Sequence, residues 1–350
     1  MKRGLSDDFL ILGGVTLIVI VCALALVSVG VPPFRPWSYL SNFVTYLSAW
    51  VFLFSGHFLY RLVKVRPKSP LQYAMKVELG PEYRRSVRQA MPMIIGLIIF
   101  MPMFSAMKSS IPLFNDYGWD AFFIQMDHRI HGTDPWRLLQ PIFGYPIVTS
   151  AVSVAYHAWL MLIYMGGLYF ALYVKDRELR SRYFVTYFAI WTLIGIVMAT
   201  ILASVGPCFV GPLVGLDTFD EQMAYLRAAN ERFPIFVLDV QEQLLNWHLT
   251  GQHGLGRGIT AMPSMHVGLG FLFFLAVRKI SAVAGWIFGI FFLIVFIGSV
   301  HLAYHYAVDG YVSILVTAIV WKLAGLWRKG TDRESYPDSI TGEAQGAAIS

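Results

Sequence analysis

Eight long apolar runs divide this sequence, and they constrain its fold more than any other feature. Each run is close to the roughly 20 residues that an α-helix needs to cross the hydrocarbon core of a bilayer. Because backbone groups find no hydrogen-bonding partner in hydrocarbon, each run is expected to be helical. The runs lie at about residues 9–30, 39–63, 90–107, 147–174, 183–206, 263–279, 282–303 and 306–327. The sequence therefore predicts an all-α integral membrane protein with about eight transmembrane helices.

The composition agrees with this class and disfavours a soluble protein. Charged residues make up 14% of the 350 residues, against about 25% in soluble domains. The net charge of +6 is therefore interpreted as a topology signal, and no nucleic-acid partner is expected. The first run is longer than the apolar part of a signal peptide, so we expect it to be retained as a span. Cys22 and Cys208 predict neither a disulfide framework nor a cysteine-based metal site.

Basic residues concentrate in every second connection between the runs. These clusters lie at 2–3, 61–88, 175–182, 278–279 and 322–329. With eight spans they all face one side, which the positive-inside rule makes the cytoplasmic side. The connections at 108–146 and 207–262 then face the other side, and they are poorer in lysine and arginine for their length.

The two long outer connections have the composition of interfacial helices. Residues 116–143 mix aromatic and aliphatic side chains with acids and bases, as amphipathic helices in the plane of a membrane do. Residues 219–250 have a helical pattern that Pro234 is expected to break. Both stretches fit a lid over a cavity on the outer face, and both equally fit plain interfacial anchors.

One chemically distinctive segment lies where the second long outer connection becomes a span. It reads Ile-Thr-Ala-Met-Pro-Ser-Met-His-Val at 259–267. Pro263 suits the first turn of a helix, where free N–H groups and the positive end of the helix dipole favour a phosphate. Ser264 and His266 are expected in that turn and would add a hydroxyl and an imidazole. The glycines within 254–258 would let the preceding loop approach a ligand closely.

The second distinctive segment lies between the last two spans, at the same predicted membrane face. His305 and Asp309 are four residues apart, which places them on one face of the eighth helix. A carboxylate in that position can accept the N–H of the imidazole, fix its tautomer and raise its basicity. The other ring nitrogen is then available as a nucleophile.

These two segments together resemble the type 2 phosphatidic acid phosphatase superfamily, in which Pro-Ser-x-His and His-x-x-x-Asp each lie at an outer helix end. More narrowly, Ala-Met-Pro-Ser-Met-His266 with His305-Tyr-x-x-Asp309 looks like the branch that includes inositol phosphorylceramide synthase. The stretch Asp127-x-x-Ile-x-Gly132 is also similar to that branch. The resemblance covers roughly residues 90–327.

The resemblance implies a six-helix core of the phosphatidic acid phosphatase type, with interfacial helices on its outer face and without metal or cofactor. Three parts are then expected: two N-terminal helices with a basic loop at 1–88, a catalytic membrane domain at 89–327, and a disordered cytoplasmic tail at 328–350. In this family pattern His305 would attack phosphorus and Asp309 would orient it. His266 would protonate the departing oxygen and later activate water or an alcohol.

The sequence departs from the superfamily pattern in its basic residues. The lysine and arginine of the first family motif are missing around 206–212, and the arginine ahead of the nucleophile is missing at 298–300. Arg257 and, more weakly, Arg227 are therefore candidates for binding the phosphate, because a planar guanidinium suits phosphate oxygens. Ser264, His301 and Tyr306 are further candidates for substrate contact.

Some histidines have other interpretations. His301, His305 and Asp309 could bind zinc together with His266, since these residue types at helical spacing suit that ion. His157 lies near the middle of a span, where a hydrogen-bonded structural role is expected. The remaining histidines of the outer connections are expected to be solvated; they are His128, His131, His248 and His253.

Three functions follow from these observations. The first is transfer of a phosphorylated headgroup from one lipid to an acceptor lipid, and the second is hydrolysis of a lipid phosphate or polyprenyl diphosphate. The third is a lipid transporter that has kept the fold without the chemistry. A bacterial inner membrane with a periplasmic site is expected, with a lumenal site in the Golgi or endoplasmic reticulum as the alternative. The sequence does not predict the oligomeric state.

Overall fold

The computed structural model describes residues 2–252 and 256–333, without the side chains of 2–6, 77–78 and 327–333. Over these residues the chain forms helices and no strand, which confirms the all-α class. The helices are α1 (Lys2–Ser28), α2 (Pro36–Val65), α3 (Pro81–Ser109), α4 (Asp120–His131), α5 (Pro135–Phe143), α6 (Pro146–Leu172), α7 (Arg177–Ile201), α8 (Pro207–Val214), α9 (Asp220–Asn230), α10 (Phe236–Leu249), α11 (Met265–Val277), α12 (Ala282–His301) and α13 (Ala307–Arg333). Short helical turns at Pro70–Tyr73 and Ala74–Glu78 lie between α2 and α3.

In the described part of the chain, seven helices are long and apolar enough to cross a membrane: α1, α2, α3, α6, α7, α12 and α13. They confirm an integral multi-pass membrane protein, and each coincides with one of the apolar runs. The remaining run, 263–279, forms α11, an apolar helix of only 13 residues. At 1.5 Å per residue a helix of this length measures about 20 Å, against roughly 30 Å of hydrocarbon. The seven long helices and this one shorter apolar helix account for the eight predicted runs.

Helix α11 is short because the chain enters the helical bundle before the helix begins. The residues just ahead of it form a loop in which Ile259, Met262 and Ser264 are buried. Ser264 then caps the helix, its hydroxyl accepting the Val267 amide at 3.4 Å. Pro263 consequently precedes the helix, whereas the sequence predicted it in the first turn. This places residues 264–266 inside the bundle.

Two contacts bring the basic ends of three helices together. Arg180 near the start of α7 pairs with Asp8 near the start of α1, with 2.7 Å between Nη2 and Oδ2. Arg182 donates to the carbonyl oxygen of Trp321 in α13 at 2.9 Å. These helix ends therefore meet at one end of the molecule, in agreement with the basic clusters. We call it the basic end, and the opposite end, which carries the two motif segments, the site end.

The helices predicted in the two outer connections are confirmed. Helices α4 and α5 lie within 116–143, α9 and α10 lie within 219–250, and the break between the last two contains Pro234. Buried glutamines attach the second pair to the chain that leaves α12. Gln222 donates to the carbonyl oxygen of Val300, and Gln241 to that of Leu302, each at 2.8 Å. These two helices are therefore packed parts of the site end.

The last helix is longer than the sequence predicts. The final span is expected to end near 327 and a disordered tail to follow at 328–350, but α13 continues to Arg333. The rest of the predicted tail, 334–350, lies outside the described residues, as does His253.

Candidate active site

His305 and Asp309 form a buried pair at the turn between α12 and α13. The turn is closed by the carbonyl oxygen of Ser299, which accepts the amides of Tyr304 and His305 at 3.0 and 2.9 Å. The sequence placed His305 on the last helix; it lies instead just before α13, and only Asp309 is in the first turn. The pair meets all the same, with 3.1 Å between His305 Nδ1 and Asp309 Oδ2.

Asp127 on α4 holds the start of α13. Its carboxylate oxygens accept the amides of Ala307 at 2.7 Å and Val308 at 3.0 Å. An acid in this position satisfies helix donors that have no partner within the helix and interacts favourably with the helix dipole. The sequence marked Asp127 only through the family resemblance. Its capping role could not be read from the sequence because the partner amides lie 180 residues or more away.

Asp120, also on α4, ties the residue after His305 to the start of α8. Its carboxylate accepts the amides of Val205 and Gly206 at 3.0 Å and the hydroxyl of Tyr306 at 2.7 Å. Tyr306 was a candidate for substrate contact. The structure places it with a relative exposure of 2% and with its hydroxyl donated to Asp120.

Gly206 lies between the two motif segments and allows them to approach each other. Its φ of +90° favours glycine, and an added Cβ would lie 2.6 Å from the carbonyl oxygen of Tyr304 and 2.9 Å from the Cβ of Ala261. On the same stretch, Cys208 donates its amide to the carbonyl oxygen of Ala303 at 2.8 Å. The region that lacks the family's basic motif therefore contributes close backbone packing.

His266 in the first turn of α11 faces the His305–Asp309 pair. The ring centroids of His266 and His305 are 5.9 Å apart. Trp159 stacks on the His266 ring at 3.9 Å and Tyr156 stacks on it at 4.5 Å. Both aromatic residues belong to α6, so a third helix fixes the orientation of this imidazole. The structure thus brings together His266, His305 and Asp309.

The surroundings of His305 favour its neutral form. Burial lowers the pKa of the His305 imidazole, and the ammonium of Lys108 lowers this pKa further, while a hydrogen bond with the Ala261 backbone acts in the opposite direction. With Nδ1 donating to Asp309, Nε2 carries the lone pair that a nucleophile needs. The site can therefore present a neutral, oriented imidazole.

Lys108 is a charged neighbour of the site that the sequence did not single out. It lies on the last turn of α3, just past the apolar run at 90–107, and belongs to no recognisable motif. Only the fold brings α3 beside the loop before α11. The sequence did contain a signal, because Lys108 is the only lysine in the outer connections.

The other residues predicted to contact the substrate differ in burial and in the partners that they contact. Ser264 is buried beside His266, where its hydroxyl caps α11. His301 is also buried, with its Nε2 2.9 Å from the hydroxyl of Thr149. Arg257 lies over the ring of Trp247 at 4.3 Å, and Arg227 is exposed on α9. Their roles toward a substrate stay predictions.

The remaining histidines make local contacts. His157 bonds the carbonyl oxygen of Ser153 at 3.0 Å. His131, expected to be solvated, lies 2.8 Å from the carbonyl oxygen of Asp127 and 2.9 Å from the hydroxyl of Tyr311. Within residues 2–252 and 256–333, no three or more His, Cys, Asp or Glu side chains are grouped to hold a metal ion, so the zinc alternative has no ligand set there.

The fold and the site define a multi-pass membrane protein with a buried His–Asp pair and a second histidine opposite it. The family model of the PAP2 superfamily, the type 2 phosphatidic acid phosphatases, matches residues 121–323. The match spans more than half of the chain, and the chain belongs to the PAP2 superfamily. Membership supports an enzyme of the lipid phosphatase or phosphotransferase type. No curated protein and no solved structure matches this chain.

Proposed function

We propose that this protein transfers a phosphorylated headgroup from a lipid phosphodiester to an acceptor lipid through a phospho-histidine on His305. The observation that carries the proposal is the buried His305–Asp309 pair, 3.1 Å between Nδ1 and Oδ2, with His266 opposite it at 5.9 Å between ring centroids. This arrangement lies within the stretch that matches the superfamily. It provides a nucleophile, its orienting acid and a second proton-transfer group.

In the first step Nε2 of His305 attacks phosphorus while the bond from phosphorus to the diacylglycerol oxygen breaks. A protonated His266 gives its proton to that departing oxygen, so diacylglycerol leaves as a neutral alcohol. Asp309 accepts the N–H at Nδ1 and stabilises the positive charge that develops on the ring. General acid catalysis of this kind contributes about 10²–10⁴ in rate.

In the second step the hydroxyl of the acceptor lipid loses its proton to His266 and attacks phosphorus. The bond between phosphorus and Nε2 breaks, and neutral His305 is restored. The same step with water in place of the acceptor would be hydrolysis. The choice between transfer and hydrolysis therefore depends on whether water reaches the phospho-enzyme.

Burial of the nucleophile supports transfer. His305 has a relative exposure of 5%, and Asp309 of 0%. Helices α9 and α10 are attached above the turn by the buried side chains of Gln222 and Gln241. Such packing limits the access of water to the phosphorus atom.

Purified protein in mixed micelles tests the proposal. We expect phosphatidylinositol with a labelled headgroup to label ceramide or diacylglycerol, and to label the protein itself when no acceptor is present. The label on the protein should be acid-labile and base-stable, as a phosphoramidate is, and His305→Ala should abolish it. Release of free phosphate from phosphatidic acid, without transfer to any acceptor, would establish the hydrolase instead. Transport of lipid that is unaffected by His305→Ala would establish the transporter.

The proposed location follows from the distribution of charge. The basic end would lie in the cytoplasm, which puts the site end at the periplasmic face of a bacterial inner membrane or in an organelle lumen. A cysteine placed at exposed Asp116 should react with an impermeant maleimide in intact cells. One placed at exposed Lys279 should react only after permeabilisation, and the reverse result would invert the topology.

A further inference from the structure

Lys108 lies at the site end of α3, where the loop before α11 rests on the last turn of that helix. The amide of Gly256 donates to the hydroxyl of Ser105 at 3.2 Å. An added Cβ at Gly258, whose φ is +112°, would lie 2.8 Å from the amide nitrogen of Ser109 and 3.0 Å from the carbonyl oxygen of Lys108. The loop that leads into the first motif is thus docked directly on the backbone of Lys108.

The positive charge of Lys108 acts on both imidazoles of the site, those of His266 and His305. After burial, the Lys108 charge is the largest influence that lowers the pKa of His305. Arg257 lies over Trp247 with a hydrogen bond to Gln252, and Arg227 is exposed on α9. Lys108 is therefore the cation that the fold brings to the catalytic pair.

Within residues 2–252 and 256–333 the ammonium of Lys108 has neither an ion-pair partner nor a hydrogen-bond acceptor. A partly buried charge without a counter-charge is costly in the membrane domain of a protein, and such residues mark sites of function. The acids around the turn are engaged elsewhere, since Asp120 and Asp127 accept backbone amides. An anion supplied by the substrate would complete the arrangement.

We propose that Lys108 binds the non-bridging oxygens of the substrate phosphate and that its single positive charge selects a phosphodiester monoanion over a phosphomonoester dianion. The inference rests on the proposed function and adds the class of phosphate group that the site prefers. An ammonium is a compact point charge with three donors, which suits the two non-bridging oxygens of a diester. A monoester carries roughly −1.5 to −2 charges at neutral pH, and Lys108 would leave part of that charge unpaired while His266 is in its neutral form.

Binding without turnover provides the test, so the experiment uses His305→Ala protein with either Lys108 or Lys108→Met. Calorimetric titration with short-chain phosphatidylinositol in detergent at pH 7 should show binding about 10- to 100-fold weaker for Lys108→Met, the loss expected for one charge-assisted contact. Lys108→Arg should retain most of the binding. Lys279→Met, the same change at an exposed lysine of the basic end, should bind like its parent.

The charge preference has its own comparison in the same experiment. His305→Ala protein should bind short-chain phosphatidylinositol more tightly than short-chain phosphatidic acid, which is a monoester. Equal or tighter binding of the monoester would overturn the preference, and unchanged binding of the diester by Lys108→Met would overturn the assignment of Lys108.

Further measurements distinguish a substrate-binding role of Lys108 from a purely structural role, and from failure of the proposed function. If Lys108 only anchored the fold, Lys108→Met would lower the thermal unfolding midpoint; a binding role predicts a midpoint that is unchanged or higher, because an unpaired buried charge is removed. If the diester binds through Lys108 but wild-type protein forms neither phospho-enzyme nor transferred product, the proposed function fails and the assignment of Lys108 stands. Transfer that proceeds with unaltered KM in Lys108→Met would support the proposed function and overturn the assignment of Lys108.

Discussion

The amide of Ser264 donates a hydrogen bond to the carbonyl oxygen of Asp309 at 3.3 Å. This bond joins the N-cap of α11 to the first turn of α13, so the two motif segments are connected through their backbones. His266 lies two residues after Ser264, and His305 lies four residues before Asp309. Their separation is therefore fixed by main-chain contacts, and little reorganisation is needed when a phosphate enters between them.

Asp309→Asn tests the role of the carboxylate in the pair. Asparagine has the same shape and can still accept the Nδ1–H of His305, but it cannot neutralise the positive charge that develops during attack. We expect the rate of phospho-enzyme formation to fall by roughly 10⁴-fold, by analogy with acid-to-amide changes behind catalytic histidines. Thermal unfolding should stay close to the wild-type midpoint. A loss of rate below tenfold would mean that Asp309 does not act on His305 in the reaction.

Asp127→Asn tests a residue that positions the site without touching the substrate. Its carboxylate caps α13 through the amides of Ala307 and Val308. Loss of this charged cap should lower the free energy of unfolding by about 1–2 kcal/mol and reduce kcat more than it raises KM. The exposed Asp116, changed to Asn, is the matched control and should alter neither quantity. A stable Asp127→Asn protein with full kcat would contradict the positioning role.

The fold was largely predictable because the bilayer imposes a simple length rule. Seven apolar runs became helices long enough to span, and the basic clusters predicted which helix ends meet at Asp8 and Arg180. The exception, α11, is short for a tertiary reason. Its N-terminal loop is buried against the Ser204 region, where the amide of Ala261 donates to the carbonyl oxygen of Ser204 at 2.9 Å, and apolar content alone cannot predict such an early entry into the bundle.

The parts of the site formed by residues close in the sequence were predictable from their spacing. His305 and Asp309 lie within one helical turn of each other in the sequence, so their contact followed from spacing even though His305 proved to precede the helix. The residues that sequence reasoning missed act across the chain. Asp120 accepts a hydrogen bond from Tyr306, 186 residues away in the sequence, and the charge of Lys108 on α3 acts on His305. Neither Asp120 nor Lys108 belongs to a local sequence motif, because tertiary packing determines which residues they interact with.

The pH dependence of the reaction tests the surroundings of His305. Burial and the Lys108 ammonium both lower the pKa of this imidazole from its ordinary value of 6.5, and the neutral imidazole is the form that attacks. With phosphatidylinositol, kcat/KM should therefore not decline as pH falls through 6.5, and a decline should begin only at lower pH. Lys108→Met removes one cause of the low pKa, so the decline should begin at a higher pH. Asp309 and His266 also face His305, and the Lys108 charge lowers the pKa of His266 as well. Because His266 acts as the acid, its titration affects the alkaline limb, and the acidic limb still reports His305.

Lys279→Met again provides the comparison, since it removes a lysine far from the site at the basic end. Its profile should coincide with that of wild-type protein. A decline near pH 6.5 in wild-type protein would contradict the low pKa of His305. The same acidic limb in Lys108→Met and in wild-type protein would contradict the electrostatic contact between Lys108 and His305.

Gly206 and Gly215 together separate backbone strain from close packing. Both have positive φ, +90° and +80°, but an added Cβ meets the Tyr304 carbonyl oxygen at 2.6 Å at Gly206 and nothing within 4 Å at Gly215. Gly215→Ala should therefore lower the free energy of unfolding by only about 1–2 kcal/mol, the strain of a left-handed alanine. Gly206→Ala adds a clash with the turn that carries His305, so we expect a loss above about 4 kcal/mol and no phospho-enzyme. Unfolding in mixed micelles with increasing SDS measures both, and equal losses in the two variants would show that Gly206 does not hold the two motif segments together.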